Sequence, residues 1–429
     1  MNARRWTPSS RLLVSALIIV GILIAAPGPA SDAHGDRDAA GAVLARTSTD
    51  YLTDLQPLDP QTLADDGNQL PAQGDEHFLP GTMMTSKDGK TVAGISPINE
   101  IIVEDAATRT VRARIDPHGS VFLTALSQDG SKIIASVDVD YSTANLQPPS
   151  WKLFDVATGS VSATIQGNGD WGSVQIDPVS WRMYQLQVSD PSSAPTQTHP
   201  AKLTVFDLNT GHVAGQTDLP DVQMGSWTDE SRGDKATGEP LFVEFSPGIA
   251  ISPDGRQIAI VHATDDGITM VDAATLTVER TLTMHAKTSL LDRFFASLPL
   301  APRTASAKMA ELTDTHAVYT ADGRQLLVYG DDSQIKDDGP VYHGRGISLV
   351  DVKDGTIEAH ALDGIALDQI VALPGDNGLY LAGTVWKDYS PTESAPYMIA
   401  HLDLDTLNVL ASRELPTYVL LVVLPSPQL

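Results

Sequence analysis

Residues Ile251 to Leu282, ISPDGRQIAIVHATDDGITMVDAATLTVERTL, hold one whole copy of a unit that returns in weaker form along nearly the full chain. Ile249 to Ile251 is a short apolar strand. Ser252-Pro253-Asp254-Gly255 follows as a turn, with Pro where φ of about −65° is wanted and Gly where positive φ is tolerated. Gln257 to Ala263 and Ile268 to Val271 are the next two strands, joined by Asp265-Asp266-Gly267, and Asp272-Ala273-Ala274-Thr275 turns the chain into Leu276 to Leu282. One unit is a four-stranded antiparallel meander.

The D-x-x-T turn sets the count. It starts at Asp59, Asp105, Asp155, Asp207, Asp272 and Asp403, with Asp351-Val352-Lys353-Asp354 as a variant, which makes seven copies. The first turn keeps phase at Asp88-Gly89, Asp129-Gly130, Asp254-Gly255, Asp322-Gly323 and Asp376-Asn377-Gly378, and degenerately at Asp177-Pro178-Val179-Ser180. These aspartates read as structural, and repeats of this period mark propellers or solenoids. Six internal units span about 77–116, 117–166, 171–219, 240–284, 315–363 and 366–416.

The seventh unit is divided between the ends. Tyr51 to Pro71 supplies only later strands, Leu55 to Leu58 and a partner near Asn68 to Leu70, while Tyr418 to Leu424 is an apolar β-prone run that supplies the missing first one. An open ring would expose two sheet edges and two apolar faces. The expected fold is therefore all-β: a seven-bladed β-propeller of four-stranded antiparallel blades, its closing blade shared between N- and C-terminal strands, in one domain over 50–429.

The SPDG turn, the apolar second and third strands and the V-D-x-x-T turn together resemble bacterial YVTN-type and WD-like β-propeller repeats across roughly 50–429. That resemblance implies the fold. The family includes surface-layer modules, binding scaffolds, sensors and some enzymes, so it implies no single activity, and the literal YVTN tetrapeptide is absent here.

The N-terminus carries Arg4, Arg5 and Arg11, then fifteen uncharged, mostly apolar residues from Leu12 to Ala26, then Pro27-Gly28-Pro29-Ala30. This pattern predicts a secretory signal over 1–30, cleaved near Ala30, because a membrane span needs roughly 20 apolar residues. The protein is expected outside the cell, with an N-terminal membrane anchor as the alternative if the signal stays. Residues 31–49 are polar, aperiodic and rich in Ala, Gly and Asp, and read as a disordered linker. With no cysteine, the chain has no disulfide, thiol nucleophile or lipidated cysteine. Its formal charge is −26, and loss of the three signal arginines takes it to −29, which argues against nucleic acid and, after cleavage, against membrane surfaces. A monomer is expected.

In an antiparallel blade the two motif turns share one end, and the second-to-third loops and interblade links share the other. The large insertions all belong to the second class: 138–150, 189–201, 220–239, 285–314, 330–346 and 386–396. That loop-rich face is the expected functional one. Its longest insertion predicts a helical segment at about 286–312, where Leu290, Leu291, Phe294, Phe295 and Leu298 share a helical face and Arg293 adds positive charge. Trp227, Trp386 and Tyr389 offer aromatic surface to a protein or glycan, and His343 and Arg345 sit close together in sequence. These six, Trp227, Arg293, His343, Arg345, Trp386 and Tyr389, are the candidate binding residues.

No catalytic residue and no cofactor is read from the sequence. Asp331-Asp332, Asp337-Asp338, Asp138 and Asp140 offer oxygens of the kind Ca²⁺ takes, without a D-x-D-x-D-G loop. No H-x-x-x-H, HExxH or G-x-S-x-G is present, and nothing fixes a Ser/His/Asp arrangement. The leading expectation is a secreted, non-enzymatic binding or scaffold propeller. A lactonase-like hydrolase or a quinoprotein-like oxidoreductase working at the central channel is the alternative.

Overall fold

The computed structural model describes residues 42–48, 55–65, 82–108, 110–137, 150–166, 173–189, 197–229, 241–286, 312–336, 339–372, 378–385, 396–415 and 419–425. Among them the regular elements are all strands. The chain begins with β1 (Ala42–Ser48) and β2 (Leu55–Pro57), then makes β3 (Met84–Thr85), β4 (Thr91–Ile95), β5 (Ile101–Asp105) and β6 (Val111–Ile115). Next come β7 (Val121–Leu126), β8 (Lys132–Val137), β9 (Ser150–Asp155) and β10 (Val161–Gln166), followed by β11 (Val174–Asp177), β12 (Arg182–Val188), β13 (His199–Asp207), β14 (His212–Asp229) and β15 (Leu241–Ser246). A further meander holds β16 (Gly248–Ile251), β17 (Gln257–Val261), β18 (Gly267–Asp272) and β19 (Val278–Thr283), with β20 (His285–Ala286) after it. The last are β21 (Leu312–Tyr319), β22 (Gln325–Lys336), β23 (Gly339–Asp351), β24 (Thr356–Ala361), β25 (Ile365–Ala372), β26 (Gly378–Val385), β27 (Tyr397–Asp403), β28 (Val409–Leu415) and β29 (Val419–Pro425).

Four meanders, β3–β6, β7–β10, β16–β19 and β25–β28, are separate four-stranded antiparallel sheets in a propeller-like arrangement. The expectation of seven separate blades is corrected at two others. The meanders β11–β14 and β21–β24 belong to one ten-stranded sheet, because the far half of β14 pairs with β15, whose Glu244 to Ser246 then pair in parallel with Leu312 to Asp314 of β21. Part of the predicted 220–239 loop is thus strand, as is much of 330–346, where β22 and β23 extend as a hairpin to Lys336 and Gly339.

The remaining sheet, β2-β1-β29, has three strands among the described residues and brings N- and C-terminal strands together, while the partner expected near Asn68 to Leu70 lies outside them. Its middle strand corrects the linker expectation: Ala42 to Ser48 pair residue by residue with Pro425 to Val419, inside the stretch read as disordered. The stretch A-V-L-A-R-T-S, too short to show a period of its own, forms a strand here because β29 presents a full row of partners.

Both turns of the repeat are held by their aspartates. In the SPDG turn the Ser252 hydroxyl donates to Asp254 Oδ1 (2.7 Å), which also accepts the Arg256 N–H, and Gly255 takes φ of +70°. In the D-x-x-T turn Asp272 Oδ1 accepts the N–H and hydroxyl of Thr275 (2.7 and 2.8 Å), and these bonds hold its carboxyl below the usual range. The Leu276 N–H then closes a five-residue turn on Asp272 O (2.8 Å), which puts Leu276 in the left-handed region at φ +57°. Leu63 and Leu407 occupy the same position with φ of 56° and 53°, and Gly159, Gly211 and Gly355 fill it elsewhere. A leucine there carries roughly 1–2 kcal/mol of strain. Burial of Leu63 and Leu407 into the core returns about 1.5–3 kcal/mol each, so the leucines are tolerated.

First turns also touch from unit to unit. The Asp88 N–H donates to Gln128 O (3.1 Å), and the Gln128 N–H to Pro178 O (3.0 Å). The core lies between sheets. One apolar cluster joins β3–β6 to β7–β10, others join β7–β10 to β11–β14, β11–β14 to β16–β19, β16–β19 to β21–β24 and β21–β24 to β25–β28, and a further one joins β25–β28 to Leu58, Leu63 and Leu421 of the end-joining sheet. The meander β16–β19 therefore packs between the two halves of the ten-stranded sheet.

Deleting Ala42 to Ser48 is expected to lower the melting temperature about as much as deleting Val419 to Pro425, since each removal strips the other strand. Leu421→Ala, which keeps the strand but empties its place in the core, is expected to cost about 2–5 kcal/mol. Denaturant unfolding of the three variants measures this, and a harmless 42–48 deletion would refute the pairing.

Candidate functional site

The strand β21 reads L-T-D-T-H-A-V-Y, and its alternation puts Thr313, Thr315, Ala317 and Tyr319 on a fully buried face and Asp314 and His316 on the other, half-buried one. Across the ladder Asp314 faces Asp331 and His316 faces Tyr329. Gly330 lies between them because a Cβ there would come within 2.0 Å of Asp314 O. The His316 ring stacks on Tyr329 with centroids 5.1 Å apart at 30°, and its Nε2 lies 3.2 Å from Asp314 Oδ2. Asp368 comes from the neighbouring sheet, at a bulge in β25 between Leu367 and Gln369.

Arg345 on β23 lies across the ladder from the recess, on the face that carries Thr313, Thr315 and Asp332. Its Nε is 3.7 Å from Asp332 Oδ2, and its Nη1 donates to Thr315 Oγ1 at 3.3 Å. Asp314, Asp331 and Asp368 thus surround His316, while Arg345 and Asp332 pair at the base of the extended hairpin. By connectivity this is the loop-rich end.

Burial opposes charge on His316, but Asp314, then Asp331 and Asp368, outweigh it and raise its pKa to about 9. Burial and the Asp314 charge push Asp331 up to about 8, and burial pushes Asp368 up to about 7 although Tyr397 acts in the other direction. The site is still open to water, since His316 and Asp314 keep 38% and 24% of their side-chain surface exposed. It is a recess that concentrates negative potential and stores protons near neutrality.

Of the residues singled out in the sequence, only Asp331 stands in the recess, with Asp332 and Arg345 on the other face of the same ladder. His343 is exposed on β23 opposite Asp332. Trp227 is half-buried on β14 and stacks on Phe245 at 6.0 Å, packing the ribbon that links the two meanders. Arg293, Trp386, Tyr389, Asp138, Asp140, Asp337 and Asp338 lie outside the described residues, as do the predicted signal and 287–311 of the predicted helical segment. The turn aspartates Asp59, Asp105, Asp155, Asp207, Asp254, Asp272, Asp351 and Asp403 accept backbone N–H groups within their own turns. Among the described residues no group of three or more His, Asp or Glu is spaced to hold a metal ion. Asp314, His316 and Asp368 were missed because each lies in a strand. The available signal was a first strand that alternates polar residues where its counterpart Gly248 to Ile251 is apolar.

The molecule is thus an all-β protein of propeller-like sheets with an acidic recess. No protein-family model matches the chain, and no curated protein matches it in sequence. Among solved structures it is similar to hydrazine synthase of Kuenenia stuttgartiensis, at 15% identity and a TM-score of 0.40, over 75% of this chain and 76% of that one. A likeness of that size assigns neither family nor activity.

The recess fixes the sign of a pH effect. Asp331, Asp368 and His316 all bind protons more tightly folded than unfolded, so their contribution to stability is complete below the unfolded values of 3.8 for the carboxyls and 6.5 for His316, and is lost as pH rises from there to the folded values of about 7 to 9. The melting temperature is expected to fall between pH 6 and pH 9, and Asp331→Asn is expected to flatten that fall. Scanning calorimetry across the range checks it, and a wild-type slope of opposite sign would overturn the electrostatic reading.

Proposed function

We propose that this chain is a secreted, seven-bladed β-propeller acting as a binding module, whose loop-rich face takes a lysine or arginine side chain of a protein partner into the acidic recess. Seven blades follow if the ten-stranded sheet is two blades linked by β15 and the three-stranded sheet is the closing blade. The observation carrying the function is the grouping of Asp314, Asp331 and Asp368 around His316, where burial and mutual repulsion keep two carboxyls protonated close to neutral pH.

Such a site is relieved by either protons or a cation. Entry of an ammonium or guanidinium group releases the protons and supplies charge-assisted hydrogen bonds, while Tyr329 gives an aromatic wall for the aliphatic stem. The overall charge of −26 steers basic partners towards the molecule. No step in this recess requires bond making or breaking.

Titration calorimetry with a lysine-rich and an arginine-rich peptide, against a glutamate-rich control, tests the proposal. Affinity is expected to rise about tenfold per pH unit between roughly pH 7 and 8 as one proton is displaced, and to fall with salt. Asp331→Asn and Asp368→Asn are expected to weaken binding at least tenfold. Binding that ignores both substitutions and pH would place the partner elsewhere.

A further inference from the structure

A second group of polar side chains lies on the face of β21–β24 that meets β16–β19, apart from the carboxylates of the recess. Ser348 on β23 and His360 on β24 are direct cross-strand partners, and Ser348 Oγ is 2.8 Å from His360 Nδ1. The other ring nitrogen, Nε2, is 2.6 Å from Asp363 Oδ1. Three residues that no local motif connects are thus joined nucleophile to base to carboxylate.

The carboxylate decides the tautomer. Ionised Asp363 only accepts, so neutral His360 carries its proton on Nε2 and presents a lone pair at Nδ1, and the Ser348 hydroxyl donates to it. That is the arrangement a serine nucleophile requires, with the roles of the two ring nitrogens exchanged relative to the chymotrypsin pattern. Asp363 is held in place by a tight turn. Leu362 sits at φ +62° and Gly364 at +83°, the Ile365 N–H donates to Leu362 O, and the Gly364 N–H donates to Gly344 O.

Ser348 and His360 both line a cavity of about 310 Å³ between the two meanders. Met284, Val328 and Ile357 give it apolar wall, and Arg345 brings a cation to the same cavity. A volume near 300 Å³ suits a small ligand with a short apolar part.

We propose that Ser348, His360 and Asp363 form a hydrolytic site for short-chain carboxylic esters, which goes beyond the binding role of the recess. As Ser348 Oγ attacks the ester carbonyl, His360 Nδ1 takes the hydroxyl proton, and Arg345 is the cation at hand for the oxyanion. The C–OR bond breaks, and that proton leaves with the alcohol. Water then attacks the acyl-serine, giving its proton to His360. The Ser348 Oγ–carbon bond breaks, Oγ recovers the proton, and the carboxylic acid departs. Ser348 is the catalytic nucleophile, His360 the base, and Asp363 a positioning residue. His360 and Asp363 keep 37% and 79% of their side-chain surface exposed, so water dilutes the help Asp363 gives and turnover is expected to be slow.

The test uses the full chain, a fluorophosphonate probe and p-nitrophenyl butyrate. The probe is expected to form an Oγ–phosphorus bond at Ser348 with loss of fluoride, located by peptide mapping. Ser348→Ala is expected to abolish labelling and to cut ester hydrolysis about 100-fold or more. His360→Gln is expected to do the same. Asp363→Asn is expected to lower kcat about tenfold with KM unchanged, a split that a purely structural role would not produce. Ser348→Cys guards against misfolding: with an intact base its thiol is expected to react with iodoacetamide faster than in Ser348→Cys/His360→Gln. An unlabelled wild-type protein, labelling that persists in Ser348→Ala, or equal thiol reactivity with and without His360 would overturn the proposal.

Discussion

A strand buried on both faces needs a sheet on each side of it, and most of this architecture follows from that requirement. All five residues of β4 are buried, as are all but the first of β8 and β17 and the first six of β26. Such strands leave no polar face to turn to water, so each meander must be flanked by two others, and the apolar clusters accordingly lie between sheets. Fourth strands face outward and are exposed along much of their length, as in β19. The pairing of β29 with β1 answers the same need at the ends of the chain, where an unflanked sheet would expose apolar surface at about 25 cal/mol per Å².

Packing of this kind brings strands of neighbouring sheets close together. A Cβ on Gly248 would come within 2.9 Å of Thr315 O, and one on Gly344 within 1.9 Å of the Ile365 carbonyl carbon. Polar side chains on these strands are left with a narrow space to share. Asp314, His316 and Asp368 share it with Asp331, and partial burial together with the Asp314 charge raises the pKa values of Asp331 and Asp368. The chemistry of the recess is a consequence of how tightly the scaffold packs around it.

The repeat was legible because turns are local: D-x-x-T and S-P-D-G state their hydrogen bonds within five residues. Strand content, the meander unit and the use of both chain ends in one sheet followed from those turns and from apolar runs. The strand at Ala42 to Ser48 was not legible, since its sequence has no strand period and its stability comes from β29, some 370 residues away. The lacing by β15 was hidden for the same reason. Asp368 enters the recess only through a bulge in another sheet, and Ser348 meets His360 only through register, so sequence could announce neither group. Arg345 was singled out beside His343, yet its partners proved to be Asp332 and Thr315.

Arg345 and Tyr329 also show that the two polar groups are not independent. Arg345 pairs with Asp332 and Thr315 on the face opposite the recess and lines the cavity beside Ser348, and Tyr329 stacks on His316 while lining that cavity as well. Arg345 Nε lies 3.7 Å from Asp332 Oδ2, an ion-pair distance rather than a hydrogen bond. The recess and the interblade cavity are thus built on one ribbon, the β22–β23 hairpin, which supplies Tyr329 and Arg345.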